Sequence, residues 1–396
     1  MTTNVYAERS AQPGHGDECA EPSRAMGDVT GEIVGQLVAR AGEADRLRTM
    51  PADLVARLRS AGLFHLAVPR SMGGLELDPV SIIQIIERLS RADGSAGWTV
   101  LIGNSAAFMG WLDPTVTAPI VAASPRLIST GVWGPLGRAE PTGDGGFVVS
   151  GRWPFSSGCL HADWYQHGFF VMDGDRPATR PDGHPDWRFA YLPARDAQVI
   201  DTWNASGLRG TGSHDVTLDG VVVPAERIAS PKFDSPRHAG PLMRLGFGPL
   251  TATLLVGFPL GVARSVLDEV IALARTHRRN PRLPAAAPDL HAHMLIGQAE
   301  GALHAARAFV INVFGDAWAT IELGDPISAD QAARIDLALR QAMAAARRAA
   351  DLVSGLAGAA IVYSEHPLGR AIRDLHAADQ HIGLRSDGFA DLEPTA

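Results

Sequence analysis

Apolar positions change period twice along this chain. From about residue 28 to Asp113 they recur three and four apart, as in Leu54, Val55 and Leu63, and again in Ile82, Ile83, Ile86 and Leu89. Such spacing predicts helices, because residues three and four apart share one helical face. A turn at 69–74 interrupts the pattern, and Asp93 and Ser95 are candidate caps for a further helix over 98–111. After Pro125 short apolar runs alternate with Gly, Pro and Asp clusters, which predicts strands over 127–130, 147–155, 164–172, 189–192, 199–203 and 216–223. Gly143-Asp144-Gly145-Gly146 and Asp219-Gly220 supply the positive φ angles of tight reversals between them.

Beyond Gly240 the helical period returns. Val262, Val266, Leu267 and Val270 mark one face, and Leu295, Ala299, Leu303, Ala306, Val310 and Val313 a second. Ile335, Leu339 and Met343 begin a third, and Leu352, Val353, Leu356 and Ile361 a fourth. Amphipathic helices in this succession predict an antiparallel four-helix bundle. The expected plan is therefore α+β: a polar tail over 1–27, an N-terminal helical domain over 28–122, a central β domain over 123–238 and the bundle over 239–396.

Composition narrows the function classes. With 46% hydrophobic and 20% charged residues, the chain is ordinary globular material, and 396 residues suffice for a sizeable core. A formal net charge of −8 argues against a nucleic-acid-binding surface. The N-terminal stretch has no apolar leader core, and no apolar run is expected to reach membrane-spanning length. Two cysteines, Cys19 and Cys159, cannot build a disulfide framework, so a reducing, cytoplasmic setting is the expectation.

The chemistry-bearing features are few. Gly207-Leu-Arg-Gly-Thr-Gly-Ser213 is glycine-rich but lacks the Gly-Lys-Ser/Thr ending of a nucleotide loop, and reads on its own as a turn. Neither a metal-ligand ladder nor a Gly-x-Ser-x-Gly elbow is present, so neither a metal centre nor a lipase-type nucleophile is expected. What stands out is Gly151-Arg-Trp-Pro-Phe-Ser-Ser-Gly158, an apolar strand that ends in adjacent hydroxyls. Ser156 and Ser157 could bond neighbouring backbone, and His381, in the tail after Arg373-Asp374, could cap a helix end. These residues alone leave both alternatives open.

The α–β–α order, together with Gly62–Gly74, Gly151–Gly158, Trp203–Ser213 and Pro367-Leu-Gly-Arg-Ala-Ile-Arg-Asp374, resembles the acyl-CoA dehydrogenase fold, with its central β-barrel and C-terminal bundle. The segment that carries the glutamate base in those dehydrogenases reads Gln380-His381-Ile382-Gly383 here, without a carboxylate. Their Phe-Gly pair is replaced by Arg278-Arg279-Asn280-Pro281. Gly-Arg-Trp-Pro-Phe-Ser-Ser-Gly followed by His161-Ala162-Asp163-Trp164 is instead similar to the two-component flavin-dependent monooxygenases. That resemblance implies reduced flavin, FMN or FAD, taken from a separate reductase, with O₂ and a small organic substrate, and a homotetramer.

It also implies roles for individual residues. Ser157, or failing that Ser156, would face flavin N5 and hold its proton, in a site that must be shielded from water. His381 would act on the substrate as a neutral imidazole. Trp133 and Phe155 would wall the isoalloxazine ring, and Arg278 would meet the flavin phosphate. Some of these hydroxylases carry a second histidine after the motif seen here as Ser95-Ala96-Gly97-Trp98, and this chain has none before Trp111. An acyl-CoA dehydrogenase or flavin oxidase with a relocated base, and a non-catalytic scaffold, are the alternatives.

Overall fold

The computed structural model describes residues 17–276 and 290–385. Five helices form the N-terminal layer: α1 (Asp17–Leu47), α2 (Ala52–Ser60), α3 (Pro79–Ala92), α4 (Gly94–Gly103) and α5 (Pro114–Ala123). Helix α1 begins inside the stretch expected to be a tail. Aspartates start three of these helices: Asp78, Asp93 and Asp113 accept hydrogen bonds from Ser81 N, Ala96 N and Thr115 N. An aspartate there satisfies an amide that the first helical turn leaves without a partner. The predicted helix over 98–111 is divided, because α4 ends at Gly103 and a 3-10 turn follows over Ser105–Trp111.

The central strands are β1 (Ser129–Thr130), β2 (Gly137–Pro141), β3 (Phe147–Ser156), β4 (Trp164–Asp173), β5 (Arg176–Pro177), β6 (Trp187–Pro193), β7 (Gln198–Ile200), β8 (His214–Val223) and β9 (Ile228–Ala229). They make one sheet in the order β7-β8-β3-β2-β4-β6-β9, with β1 and β5 also paired to β4. No pairing joins β7 to β9 among the described residues, so the expected barrel is a sheet with two edges. Strand β2 escapes the periodicity reading because Gly-Arg-Ala-Glu-Pro has little apolar character, yet it is held between β3 and β4. Trp153, Tyr165, Phe169 and Val216 belong to a separate apolar core inside this domain.

The C-terminal helices are α6 (Phe247–Leu255), α7 (Gly257–Thr276), α8 (Leu290–Glu322), α9 (Ala329–Ser354) and α10 (Pro367–Ala378). The third and fourth predicted faces meet in α9, which contains Ile335, Leu339, Met343, Leu352 and Val353; the fourth bundle helix is α10. Helix α7 packs against α3, α9 and α10, and α8 lies on α9. The approach of α7 to α3 depends on glycine, since a Cβ at Gly257 would stand 2.4 Å from Ile83 O and one at Gly261 2.2 Å from Glu87 O. N- and C-terminal helices thereby share a single core.

One expectation needs correction. The segment Phe247–Arg275 is long and apolar enough to cross a membrane by length and composition. Most of its apolar window is buried inside the protein, where α7 is the central helix, and that position accounts for its apolarity.

Candidate active site

Strand β3 delivers the unusual hydroxyls. Its register with β8 shifts twice, between Val149 and Gly151 and again between Trp153 and Ser156. Trp153 is fully buried, donates from Nε1 to Gly168 O at 2.8 Å, and stacks on His167 with centroids 4.6 Å apart. Strict alternation would bury Phe155 on the same face. The second register shift turns it outward instead, at φ 62°, with 69% of its surface exposed. An apolar ring in the left-handed region with one face uncovered is strained twice over, by backbone and by hydration.

The two serines part company here. Ser156 stays in the sheet opposite His214, and its hydroxyl donates to Trp153 O at 3.0 Å. Ser157 leaves the sheet. Its buried Oγ accepts from Trp98 Nε1 on α4 at 3.0 Å and lies 2.7 Å from Ser213 Oγ. Ser213 Oγ in turn is 2.6 Å from Thr211 Oγ1, which donates to Leu208 O at 2.7 Å. The other side of Trp98 meets His381, edge-on at 5.4 Å, and Phe258 at 5.0 Å. Ser157 and His381, far apart in sequence, thus touch the same indole ring.

His381 follows the end of α10, where its amide donates to Ala378 O at 2.9 Å. The residue is half-buried, yet its ring is desolvated enough to lower its pKa to about 4. Gly383 N donates to its Nδ1 at 3.2 Å, which assigns the ring proton to Nε2. In this arrangement the imidazole is neutral at pH 7 and offers a donor, not a free base.

The glycine-rich loop is more than a turn. Leu208 N donates to Asp374 Oδ1 on α10 at 2.6 Å, and Gly210 N to Ser95 Oγ on α4 at 3.1 Å. A Cβ at Gly207 would stand 2.1 Å from Arg373 O, so only glycine lets the loop meet α10 this closely. Asp374 is buried beside Asp93; desolvation and then repulsion raise its pKa to about 8. Trp98, Ser213, Thr211 and Asp374 were not singled out by sequence. The signals were the serine ending the glycine-rich stretch and the tryptophan of Ser95–Trp98.

Trp133 sits apart from Trp98, among Phe108, Phe189 and Phe247 at 4.5, 6.2 and 5.4 Å. Its Nε1 is buried with no partner among the described residues, as are Thr130 Oγ1 and Gln166 Oε1 nearby in the sheet. Thr130 borders the turn after Ser157, where a Cβ at Gly158 would stand 3.4 Å from its Cγ2. Buried polar atoms without partners cost free energy unless a ligand or water meets them. Such atoms, the uncovered Phe155 ring and the Ser157 hydroxyl fit a flat ring system bearing nitrogen and oxygen. Arg278 lies outside the described residues. Two clefts lie elsewhere: about 790 Å³ beside α5 and Trp164, and about 1200 Å³ bordered by Trp187, Met243 and Phe247. The second is joined to Trp133 through the Trp133–Phe247 contact.

Comparison with known proteins settles the family. The acyl-CoA dehydrogenase N-terminal domain profile matches residues 22–112, and the C-terminal domain profile matches residues 253–386. The chain is 35% identical to the indole-3-acetate monooxygenase of Pseudomonas putida over 350 residues, covering 87% of this chain and 86% of that one. It belongs to the flavin-dependent monooxygenases of the acyl-CoA dehydrogenase fold. The flavin-dependent monooxygenase oxygenase subunit HsaA of Rhodococcus jostii is 28% identical over 359 residues, covering 86% and 90% of the two chains. The solved 3-HSA hydroxylase from a Rhodococcus species superposes with a TM-score of 0.84 at 25% identity, covering 94% of this chain and 98% of that one. As a flavin-dependent monooxygenase the protein takes reduced flavin as its cofactor, and the unpartnered Thr130 hydroxyl beside the turn after Ser157 agrees with a polar ligand there.

Proposed function

We propose that this chain is the oxygenase component of a two-component system, receiving reduced flavin from a separate reductase and oxygenating a small aromatic substrate. One observation carries the reading: Trp98 joins Ser157 to His381 in a segment, 380–384, that holds no carboxylate. An α-proton abstraction from an acyl thioester needs a carboxylate base there, and a neutral histidine whose Nδ1 is engaged by Gly383 is a poor substitute.

When bound, reduced flavin supplies the electrons that activate O₂. The residues of the chain do the rest. Ser157 would hold the ring at its N5 edge, and Trp98 with Phe258 would wall the site with apolar surface that keeps water out. The uncovered ring of Phe155 offers a stacking face. His381 presents its Nε2 proton to an oxygen atom of the substrate or co-substrate, and stays uncharged in doing so because its site is desolvated.

Relatives at 35% and 30% identity are indole-3-acetate monooxygenases, which makes an indole the first substrate to try. The aromatic lining of Phe108, Trp133, Phe189 and Phe247 supports a flat apolar substrate. The exposed side chains Val362, Tyr363 and Ile382 support burial against further copies, and a homotetramer in the cytoplasm belongs to the same proposal.

The test is to supply the purified protein with enzymatically reduced FMN or FAD, oxygen and indole-3-acetate, and to follow the substrate by mass spectrometry. Gain of one oxygen atom is the expected result. Absence of any oxygenated product from indoles or phenols, with flavin bleached by an acyl thioester instead, would overturn it. Light scattering on the eluting protein checks the tetramer.

A further inference from the structure

The hydrogen bonds around Ser157 form a line whose two ends fix its direction. Trp98 Nε1 is only a donor, so it donates to Ser157 Oγ, at 3.0 Å. Leu208 O is only an acceptor, so the hydroxyl 2.7 Å from it, Thr211 Oγ1, spends its single proton there. Thr211 Oγ1 therefore accepts from Ser213, 2.6 Å away, which uses the only proton of Ser213. Ser213 must then accept from Ser157, 2.7 Å away. Reversing any link would set two lone pairs against each other at hydrogen-bond distance in a buried site, at the cost of an unmade bond. Ser157 is left with its proton committed and one lone pair free.

We infer that this polarised line, Trp98 to Ser157 to Ser213 to Thr211 to Leu208 O, makes Ser157 an acceptor only and so selects the reduced form of the flavin. The inference rests on the reading that Ser157 faces flavin N5. Reduced flavin carries a hydrogen on N5 and can donate it to the free lone pair. Oxidised flavin has a bare lone pair on N5 and would meet another on Ser157. Ser213 and Thr211 are then positioning residues for redox selectivity, acting through Ser157 without touching the ligand. The device suits an oxygenase that takes reduced flavin from a partner and returns oxidised flavin. The loop that carries it is clamped by Asp374 and Ser95, which holds the acceptors in place.

The experiment is anaerobic titration of the intact protein with reduced and with oxidised FMN and FAD, reading dissociation constants by flavin absorbance and fluorescence. Wild type should bind the reduced form at least about tenfold tighter, roughly the worth of one hydrogen bond. Ser213→Ala frees the Ser157 proton to turn toward N5. Affinity for oxidised flavin should then rise by about tenfold, with reduced-flavin affinity held within about twofold. Thr211→Val releases the Ser213 proton and should move the ratio the same way, whereas Thr211→Ser, which keeps the hydroxyl, should leave it unchanged. A purely structural role would weaken both forms together.

Equal binding of both forms by wild type, or an unchanged ratio in Ser213→Ala and Thr211→Val, would overturn the inference and leave the flavin reading standing. Failure of wild type to bind flavin in either state would overturn both. Far-ultraviolet circular dichroism confirms folding, and either variant alone suffices for the comparison.

Discussion

Inside the sheet, Trp153 is surrounded by Phe147, Val149, Tyr165, Phe169 and Val216, and its one polar atom is satisfied by the backbone of β4. Along the seam between sheet and helices the materials differ. Loop 207–213 meets α4 and α10 through hydroxyls, bare amides and the buried carboxyl of Asp374, which lies beside Asp93. The first region is mainly apolar, with His167 stacked on Trp153, and depends on volume and alternation. The second uses polar groups whose direction matters, and it gains close approach by having no side chain at Gly207. Ser156 and Ser157 stand on opposite sides of that divide. Selectivity is concentrated at the seam.

Breaking the seam should have the largest effect. Gly207→Ala drives a methyl into Arg373 O, and we expect a loss of about 3 kcal/mol or more, seen as a fall in thermal midpoint or as insoluble protein. Gly143→Ala, where nothing lies within 4 Å, should change the midpoint by less than a degree or two. Equal midpoints for the two would dissolve the contrast between seam and hairpin.

The paired serines offer a finer test. Ser157→Ala leaves Trp98 Nε1 buried without an acceptor, and reduced-flavin affinity should fall about tenfold. Ser156→Ala removes only a bond to Trp153 O and should keep affinity within about twofold, at a stability cost of about 1 kcal/mol. Titration with reduced flavin separates them, and similar affinities for both variants would refute the division of roles.

The buried carboxyls predict a pH effect. With the folded pKa of Asp374 raised to about 8, folding keeps a proton that the unfolded chain releases near pH 4. Its stabilising contribution is therefore complete below pH 4 and is lost as pH rises through about 8. Asp374→Asn mimics the protonated form while keeping an acceptor for Leu208 N. Melting curves should show its midpoint about 3 °C above wild type at pH 9, above it by a smaller margin at pH 6, and close to it at pH 4. A constant offset across that range would rule this out.

The smallest effect concerns His381. Its pKa is depressed to about 4, so its contribution is present above the unfolded pKa near 6.5 and lost as pH falls toward 4. His381→Gln should flatten that acid limb by about 1 kcal/mol, measured by denaturant unfolding between pH 7 and pH 4. The oxygenation rate of the wild type should show no histidine limb between pH 6 and pH 8.

Much of this was legible because periodicity is a local property. The α–β–α order, the strands that carry Trp153 and Val216, and the suspicion attached to Ser156 and Ser157 all came from short windows of residues. Strand β2 was missed because its neighbours, not its own composition, hold it in the sheet. The last bundle helix was misplaced because apolar residues at the end of α9 continue into the turn after it. Phe155 obeyed alternation on paper and broke it in space, since one register shift rotates everything beyond it.

Composition and patterning determined the layers, and the motifs around Ser157 and His381 determined the family. Only the tertiary structure decided that Ser157 and not Ser156 leaves the sheet, that Trp98 stands between Ser157 and His381, and that Ser213 sets the direction of the Ser157 proton. The reason is physical. A helix or a strand is chosen by neighbours a few residues away, whereas a hydroxyl proton points where its partner stands, and the partners of Ser157 are 59 and 56 residues distant.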